Sequence, residues 1–387
     1  MKRSIILIIT VLILILSSCN TGKKKSDSTE PSVSPGELVA DTGFNKTING
    51  NQYQLYTLKN NNGVTLKLTN DGASIVQILV PDKEGNFDDV VLGYRTIEGY
   101  INDNMYQGCI VGRYANRIHE GKFELDGKVY DLSINNMGNT LHGGPGGLHT
   151  KFWKGEKEGN SVEFTYTSPH MEEGYPGELS ISVVYTLTDD NEMIIDYTAK
   201  TDRPTFVNLS NHMYVNLLGE AKGDILDHEL QIFADYITPV DSTLIPTGEI
   251  REVKGTPFDF REPHKIGESI NADNTQLKYG KGYDHNWVLA MEDREEPRPA
   301  VKLYEPQTGR MLEIATSEPG IQFYSGNFMD GTVEGKNGNM YDFRHALALE
   351  PQHFPDSPNH DNFPTTLLLP EETYKQITVY TFSVKEE

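Results

Sequence analysis

Helical periodicity, cysteine and clustered positive charge are all scarce in this chain, and each scarcity removes a class of protein. Apolar residues seldom recur at the three- and four-residue spacing of a buried helix face, so a helical bundle is not expected. Of 387 residues only two are cysteine, Cys19 and Cys109, too few for a disulfide-stapled scaffold. Lys and Arg number 34 against 56 Asp and Glu, a formal net charge of −22, which argues against a nucleic-acid partner because phosphate binding needs clustered cations. The run Lys23-Lys24-Lys25 is more readily a contact with lipid headgroups or solvent than a specific site.

The N-terminus carries its own pattern. Met1-Lys2-Arg3 precedes an apolar stretch from Ile5 to Leu16, the charged start and short hydrophobic core of a secretion signal, too short to span a bilayer comfortably. It closes on Leu16-Ser17-Ser18-Cys19, which resembles the lipobox of bacterial lipoproteins, in which the cysteine becomes the lipidated first residue. A plain signal peptide with an accidental cysteine is the alternative. The expected organisation is a signal peptide over 1–18, a lipidated Cys19 with a polar tether over 19–44, and one folded domain over 45–387. With Cys19 lipidated, Cys109 has no disulfide partner. Membrane contact is expected only through that anchor, in the cell envelope.

What the chain does contain is alternation. Val162 to Tyr166, Met311 to Ala315 and Ile377 to Phe382 switch between apolar and polar with the period of two of a half-buried strand. Phe123 to Tyr130 places Asp126-Gly127 between two such arms, a hairpin signal requiring positive φ at both central residues. Further strands are predicted at Val64–Thr69, Ile75–Val80, Leu179–Leu187 and Met193–Ala199. With 35 glycines and 20 prolines, this reads as an all-β protein, a large antiparallel β-sandwich. No internal repeat is visible, and Gly326–Arg344 reads as a loop on the face where binding residues gather.

Several segments join glycine or proline to polar residues that an ordinary turn does not need. Asn116 and Arg117, in Gly112 to Ile118, offer donors suited to sugar hydroxyls, although such a pair commonly serves a surface carboxylate. His142 precedes two glycines that would let backbone approach a ligand; the segment lacks the ending and context of a phosphate loop. His212 lies in an alternating run in which Ser210, His212 and Tyr214 would share one strand face, a cleft or the core. Asp284 sits among Tyr283, His285 and Trp287, aromatics able to pack on a sugar ring, or forms a plain turn. Glu350 ends an apolar run, and Pro351 is expected to stop the ladder there. His353, Asp356, His360 and Asp361 lack the spacing of a metal site, so no metal is expected.

Taken together, Gly112–Ile118, Leu141–Gly144, Asn208–Leu217, Gly282–Trp287, Gln322–Phe328 and Leu349–Asn359 resemble, in order, the motifs of aldose 1-epimerases, the galactose mutarotase family. The similarity spans about residues 45–385. It implies the family's sandwich fold and a free aldose as substrate, without a cofactor. It implies that Glu350 is the general base that takes the anomeric proton and His212 the general acid that protonates the ring oxygen. Asn116, Arg117, His142, Asp284 and Gln322 would bind the sugar. Ring opening then needs an ionised Glu350, a charged His212 and a bell-shaped pH dependence. Val215 stands where the family usually has Phe, and Met213 replaces a small or polar residue; both are expected to alter the pocket lining. Within the same fold a hexose-6-phosphate epimerase is a rival, as is a non-catalytic carbohydrate-binding lipoprotein. A glycoside hydrolase would need a second carboxylate, for which Asp284 is the nominee.

Overall fold

The computed structural model describes residues 39–292 and 295–385; the predicted signal peptide, Cys19 and the lysine run lie outside them. The described residues form one compact unit. The alternating segments become strands close to their predicted bounds: Ser161–Ser168, Leu179–Leu187, Glu192–Thr201, Arg310–Thr316 and Tyr374–Val384. These belong to a nine-stranded antiparallel sheet, ordered 154–158, 161–168, 179–187, 192–201, 374–384, 310–316, 298–304, 229–232 and 264–265.

Leu179–Leu187 shows why the pattern could be read: every second residue is buried and those between are exposed or half-buried, as a sheet with one covered face requires. The inward side chains, among them Ile181, Val183, Tyr185, Ile195 and Ile314, share one apolar cluster with Leu66, Ile78, Ile321, Phe323, Leu347 and Leu349. Those residues come from a four-stranded sheet, Leu55–Lys59 to Phe87–Asp89, and a six-stranded sheet containing Gly320–Tyr324 and Leu347–Gln352. Sheet therefore packs on sheet over a common core, the predicted sandwich. The Asp126-Gly127 hairpin forms with φ of 53° and 71° at its centre.

Three expectations change. The tether does not reach residue 44, because Val39 and Phe44 are buried with Tyr53, Val76 and Tyr100, and the Lys67 Nζ donates to the Val39 carbonyl at 2.6 Å. The Glu350 strand does not stop at proline: Leu347–Gln352 is continuous and Pro351 pairs with Ile321. Proline is tolerated there because the Pro351 carbonyl points off the ladder, accepting from the Ser210 Oγ at 2.8 Å; its missing N–H lies on that same side. Third, Met213 and Val215 point into the sandwich core and do not line a pocket.

Candidate active site

The six-stranded sheet presents one alternating face to the core and the other to a cavity. Its central strands pair Asp284 with Tyr324 and place Asn286, Gln322 and Glu350 in one cross-strand row. Since side chains alternate, Asp284, Gln322, Tyr324 and Glu350 share the face opposite Ile321, Phe323 and Leu349. His285, next to Asp284, points the other way, with its Nε2 3.2 Å from the Gln276 Oε1, which removes an Asp–His catalytic pairing.

Asn116, Arg117 and His142 arrive together through one small ladder. Arg117–Ile118 pairs with Thr140–Leu141, so His142 emerges beside Asn116, whose backbone N–H donates to the His142 Nδ1 at 3.1 Å while the His142 N–H donates to the Asn116 carbonyl at 2.9 Å. With Nδ1 accepting, the neutral ring carries its proton on Nε2. Gly143 has φ 84°, and a Cβ there would meet the Gly112 carbonyl oxygen at 1.9 Å. Its bareness admits the neighbouring chain, not a ligand as predicted.

His212 does not lie on a continuous strand. It falls between Ser210–Asn211 and Tyr214–Val215, held by its N–H donating to the Cys109 carbonyl at 2.9 Å and its carbonyl accepting from the Gly108 N–H at 3.0 Å. The break turns its ring toward Glu350, with the Nε2 3.7 Å from the Glu350 Oε1. That gap is too long for a direct hydrogen bond and leaves the two groups facing one space.

That space is a cavity of about 400 Å³ bordered by Asn116, Arg117, His142, His212, Asp284 and Glu350. Gln322 stands behind it, its amide donating to the Asp284 Oδ1 at 2.6 Å, so it holds Asp284 where sugar contact was expected. On the other side the Arg117 Nη2 lies 3.9 Å from the Asp284 Oδ2, and the Arg117 Nε donates to the Asn136 Oδ1 at 3.2 Å. A hollow of about 760 Å³ bordered by Asp196, Thr366 and Tyr374 is larger, but the opposed acid and base lie in the smaller one, and the chemistry decides.

The aromatics at the cavity are not the predicted ones. Tyr283 and Trp287 pack with Phe258, Phe260 and Phe323 in the core. Tyr106, Tyr214, Tyr324 and Phe328 border the cavity instead. Tyr324 was within reach of the sequence, two residues after Gln322 on the same strand face, and Phe328 closes the same motif. Tyr106 carries no such signal: it comes from a loop, at φ 60°, and its ring centroid lies 4.7 Å from those of both His142 and His149 and 5.7 Å from that of His212.

Burial sets the charges. It pushes Glu350 up to about 8, assisted by the negative charge of Asp284 and opposed by Arg117. Burial also takes His212 down to about 4, with a smaller contribution from His149, and lowers His142. The expected resting state, an ionised Glu350 beside a charged His212, is therefore reversed, because desolvation disfavours every isolated charge. Between the two values the pair still holds one proton, which an acid/base couple needs. His353, Asp356, His360 and Asp361 do not assemble into a site: the His353 Nδ1 pairs with the Glu318 Oε2 at 2.6 Å, and Asp356 ties down the backbone of His119.

Comparison with known proteins agrees with this geometry. The model of the aldose 1-epimerase family matches residues 54–381. The chain belongs to that family. It is 45% identical over 313 residues to the human galactose mutarotase, covering 81% of this chain and 89% of that protein. It is 38% identical over 336 residues to the Escherichia coli aldose 1-epimerase, covering 86% and 96%. A solved GalM/aldose epimerase homologue from C. elegans superposes with a TM-score of 0.80 at 36% identity, over 86% of this chain and all of that one. The member described here is an isomerase, and its reaction is the interconversion of hexose anomers.

Proposed function

We propose that Glu350 and His212 open and reclose the ring of a free hexose such as galactose or glucose, Glu350 taking the O1 proton and His212 delivering one to O5. Proton removal and donation must coincide to break the C1–O5 bond, and each positioned group contributes about 10² to 10⁴-fold. The observation that supports this reading is the opposed, buried pair across 3.7 Å. Rotation about C1–C2 in the open aldehyde, followed by the reverse transfers, yields the other anomer. The proton that burial favours on Glu350 moves to His212 when sugar hydroxyls replace lost hydration around the carboxylate. Arg117 and Asp284, coupled to each other, orient the hydroxyls, with Asn116 and His142 beside them; Gln322 keeps Asp284 in place.

A phosphosugar is the weaker reading. Arg117 is the one cation bordering the cavity among the described residues, and it already faces Asp284. The proposed setting is the cell envelope, with Cys19 lipidated; what supports it is the charged, apolar and small-residue order before Cys19. Polarimetry with the purified full-length chain tests the substrate class: acceleration is expected with freshly dissolved α-D-galactose and not with glucose 6-phosphate. The opposite preference sinks the free-sugar assignment.

A further inference from the structure

We propose that Tyr106 is a positioning residue of the reaction, its ring holding the His212 imidazole in the orientation that delivers a proton to the sugar; this rests on the reading of His212 as the acid. A histidine is commonly aimed by a hydrogen bond to the ring nitrogen that does not react. His142 has such a bond, from the Asn116 N–H. The His212 Nδ1 is buried and, apart from its own backbone, has no hydrogen-bond partner among the described residues. The second torsion of a histidine has broad wells, so without that bond the direction of the Nε2 depends on what packs against the ring.

The rings of His142, Tyr214 and Tyr106 pack there, with centroids 5.1, 4.9 and 5.7 Å from that of His212. Tyr106 stands apart because its loop is tied to His212 itself: the Gly108 N–H donates to the His212 carbonyl at 3.0 Å, and the Cys109 carbonyl accepts the His212 N–H at 2.9 Å. The Asp103 carboxylate accepts the N–H groups on either side of Tyr106, from Met105 at 2.7 Å and Gln107 at 2.6 Å, and the Tyr94 hydroxyl at 2.6 Å. Between these clamps Tyr106 has a φ of 60°, a left-handed conformation that costs a tyrosine energy and that the surrounding structure must impose. The ring lies 4.7 Å from those of His142 and His149. Tyrosine ring and imidazole are thus mounted on one hydrogen-bonded unit, which fixes their relative position without a bond between them. The chemistry needs that, because misplacing a reacting group by about 1 Å can cost about 10²-fold.

Polarimetry of the full-length chain with α-D-galactose tests this. Tyr106→Leu is expected to lower kcat about tenfold to a hundredfold while KM moves less than about threefold, and Tyr106→Phe, which keeps the ring, to recover most of that loss. A residue acting through His212 has nothing left to do once His212 is gone, so Tyr106→Leu added to His212→Asn is expected to cost less than about twofold more. Wild-type kcat in a folded Tyr106→Leu overturns the proposal. So does a Phe variant as poor as the Leu one, which would make the hydroxyl a sugar contact, and so does a double variant whose losses multiply. A His212→Asn enzyme that turns over at the wild-type rate overturns the acid role itself, which tells the two failures apart. If Tyr106→Leu does not fold, Tyr106→Met takes its place. If neither folds, nuclear Overhauser contacts between the Tyr106 and His212 rings are measured in wild type with selectively labelled tyrosine and histidine; their presence is expected, and their absence overturns the proposal.

Discussion

Replacing Glu350 with Gln is expected to make the folded protein more stable as the pH rises, while removing its activity. The carboxyl is buried, and its pKa rises from 4.5 in the unfolded chain to about 8 in the folded one. Between these values the folded state holds a proton that the unfolded state has released. Stability from this group is thus complete below pH 4.5 and is lost upward, at about 1.4 kcal/mol per pH unit. The loss is less than about 1 kcal/mol at pH 5, about 3 at pH 7, and approaches about 5 above pH 8. Glutamine keeps the shape and cannot ionise, so the variant escapes the loss. Urea unfolding of both proteins at pH 5, 6, 7 and 8 measures it: the gap between their stabilities should widen steadily in favour of the variant. Two curves that stay parallel from pH 5 to 8 would refute the claim that burial, and the charge of Asp284, hold Glu350 protonated. A constant offset carries no weight, since the amide can gain or lose contacts that do not titrate.

The other predictions concern the same charges and one anchor. Because the pair keeps a single proton between His212 at about 4 and Glu350 at about 8, kcat/KM should be bell-shaped with limbs near those values; a profile still rising at pH 9 contradicts this. Asp284→Asn removes a charge that raises Glu350, so the alkaline limb of the residual activity should move to lower pH, and a limb that stays or rises counts against the electrostatic argument. Lys336 is fully buried, 2.8 Å from the Asp89 carboxylate, and donates to the Val76 and Val91 carbonyls. It pins Gly326–Arg344, the segment that brings Phe328 to the cavity. Lys336→Met strands a buried carboxylate and should cost about 3–5 kcal/mol in chemical denaturation; a change below about 1 kcal/mol would show that the pair is not what holds the segment.

Sequence patterns carried the strands wherever one sheet face is covered and the other is wet, because that asymmetry writes the period of two into the chain, as in Leu179–Leu187. They misjudged Leu347–Gln352, since a proline read alone looks like a terminator, and whether its missing N–H faces a partner depends on ladder parity that only pairing reveals. His212 was read onto a strand face by the alternation of Ser210, His212 and Tyr214, but a break between two short ladders is what turns the ring toward Glu350. The glycine beside His142 was read as a ligand's approach and proved to be a backbone's. Tyr106 left no trace, for a tyrosine in a loop becomes a wall of a cavity by long-range packing alone. The resting charges were out of reach for the same reason: residue type sets an ordinary pKa, and burial, which moved Glu350 and His212 in opposite directions, is a property of the fold.

The central claim is that a buried carboxyl and imidazole facing each other across one cavity open the sugar ring. Polarimetry of freshly dissolved α-D-glucose with folded wild type, Glu350→Gln and His212→Asn tests it most directly. The account predicts rapid mutarotation by wild type and a loss of about 10² to 10⁴-fold in each variant. Variants that are folded and turn over at the wild-type rate would contradict it.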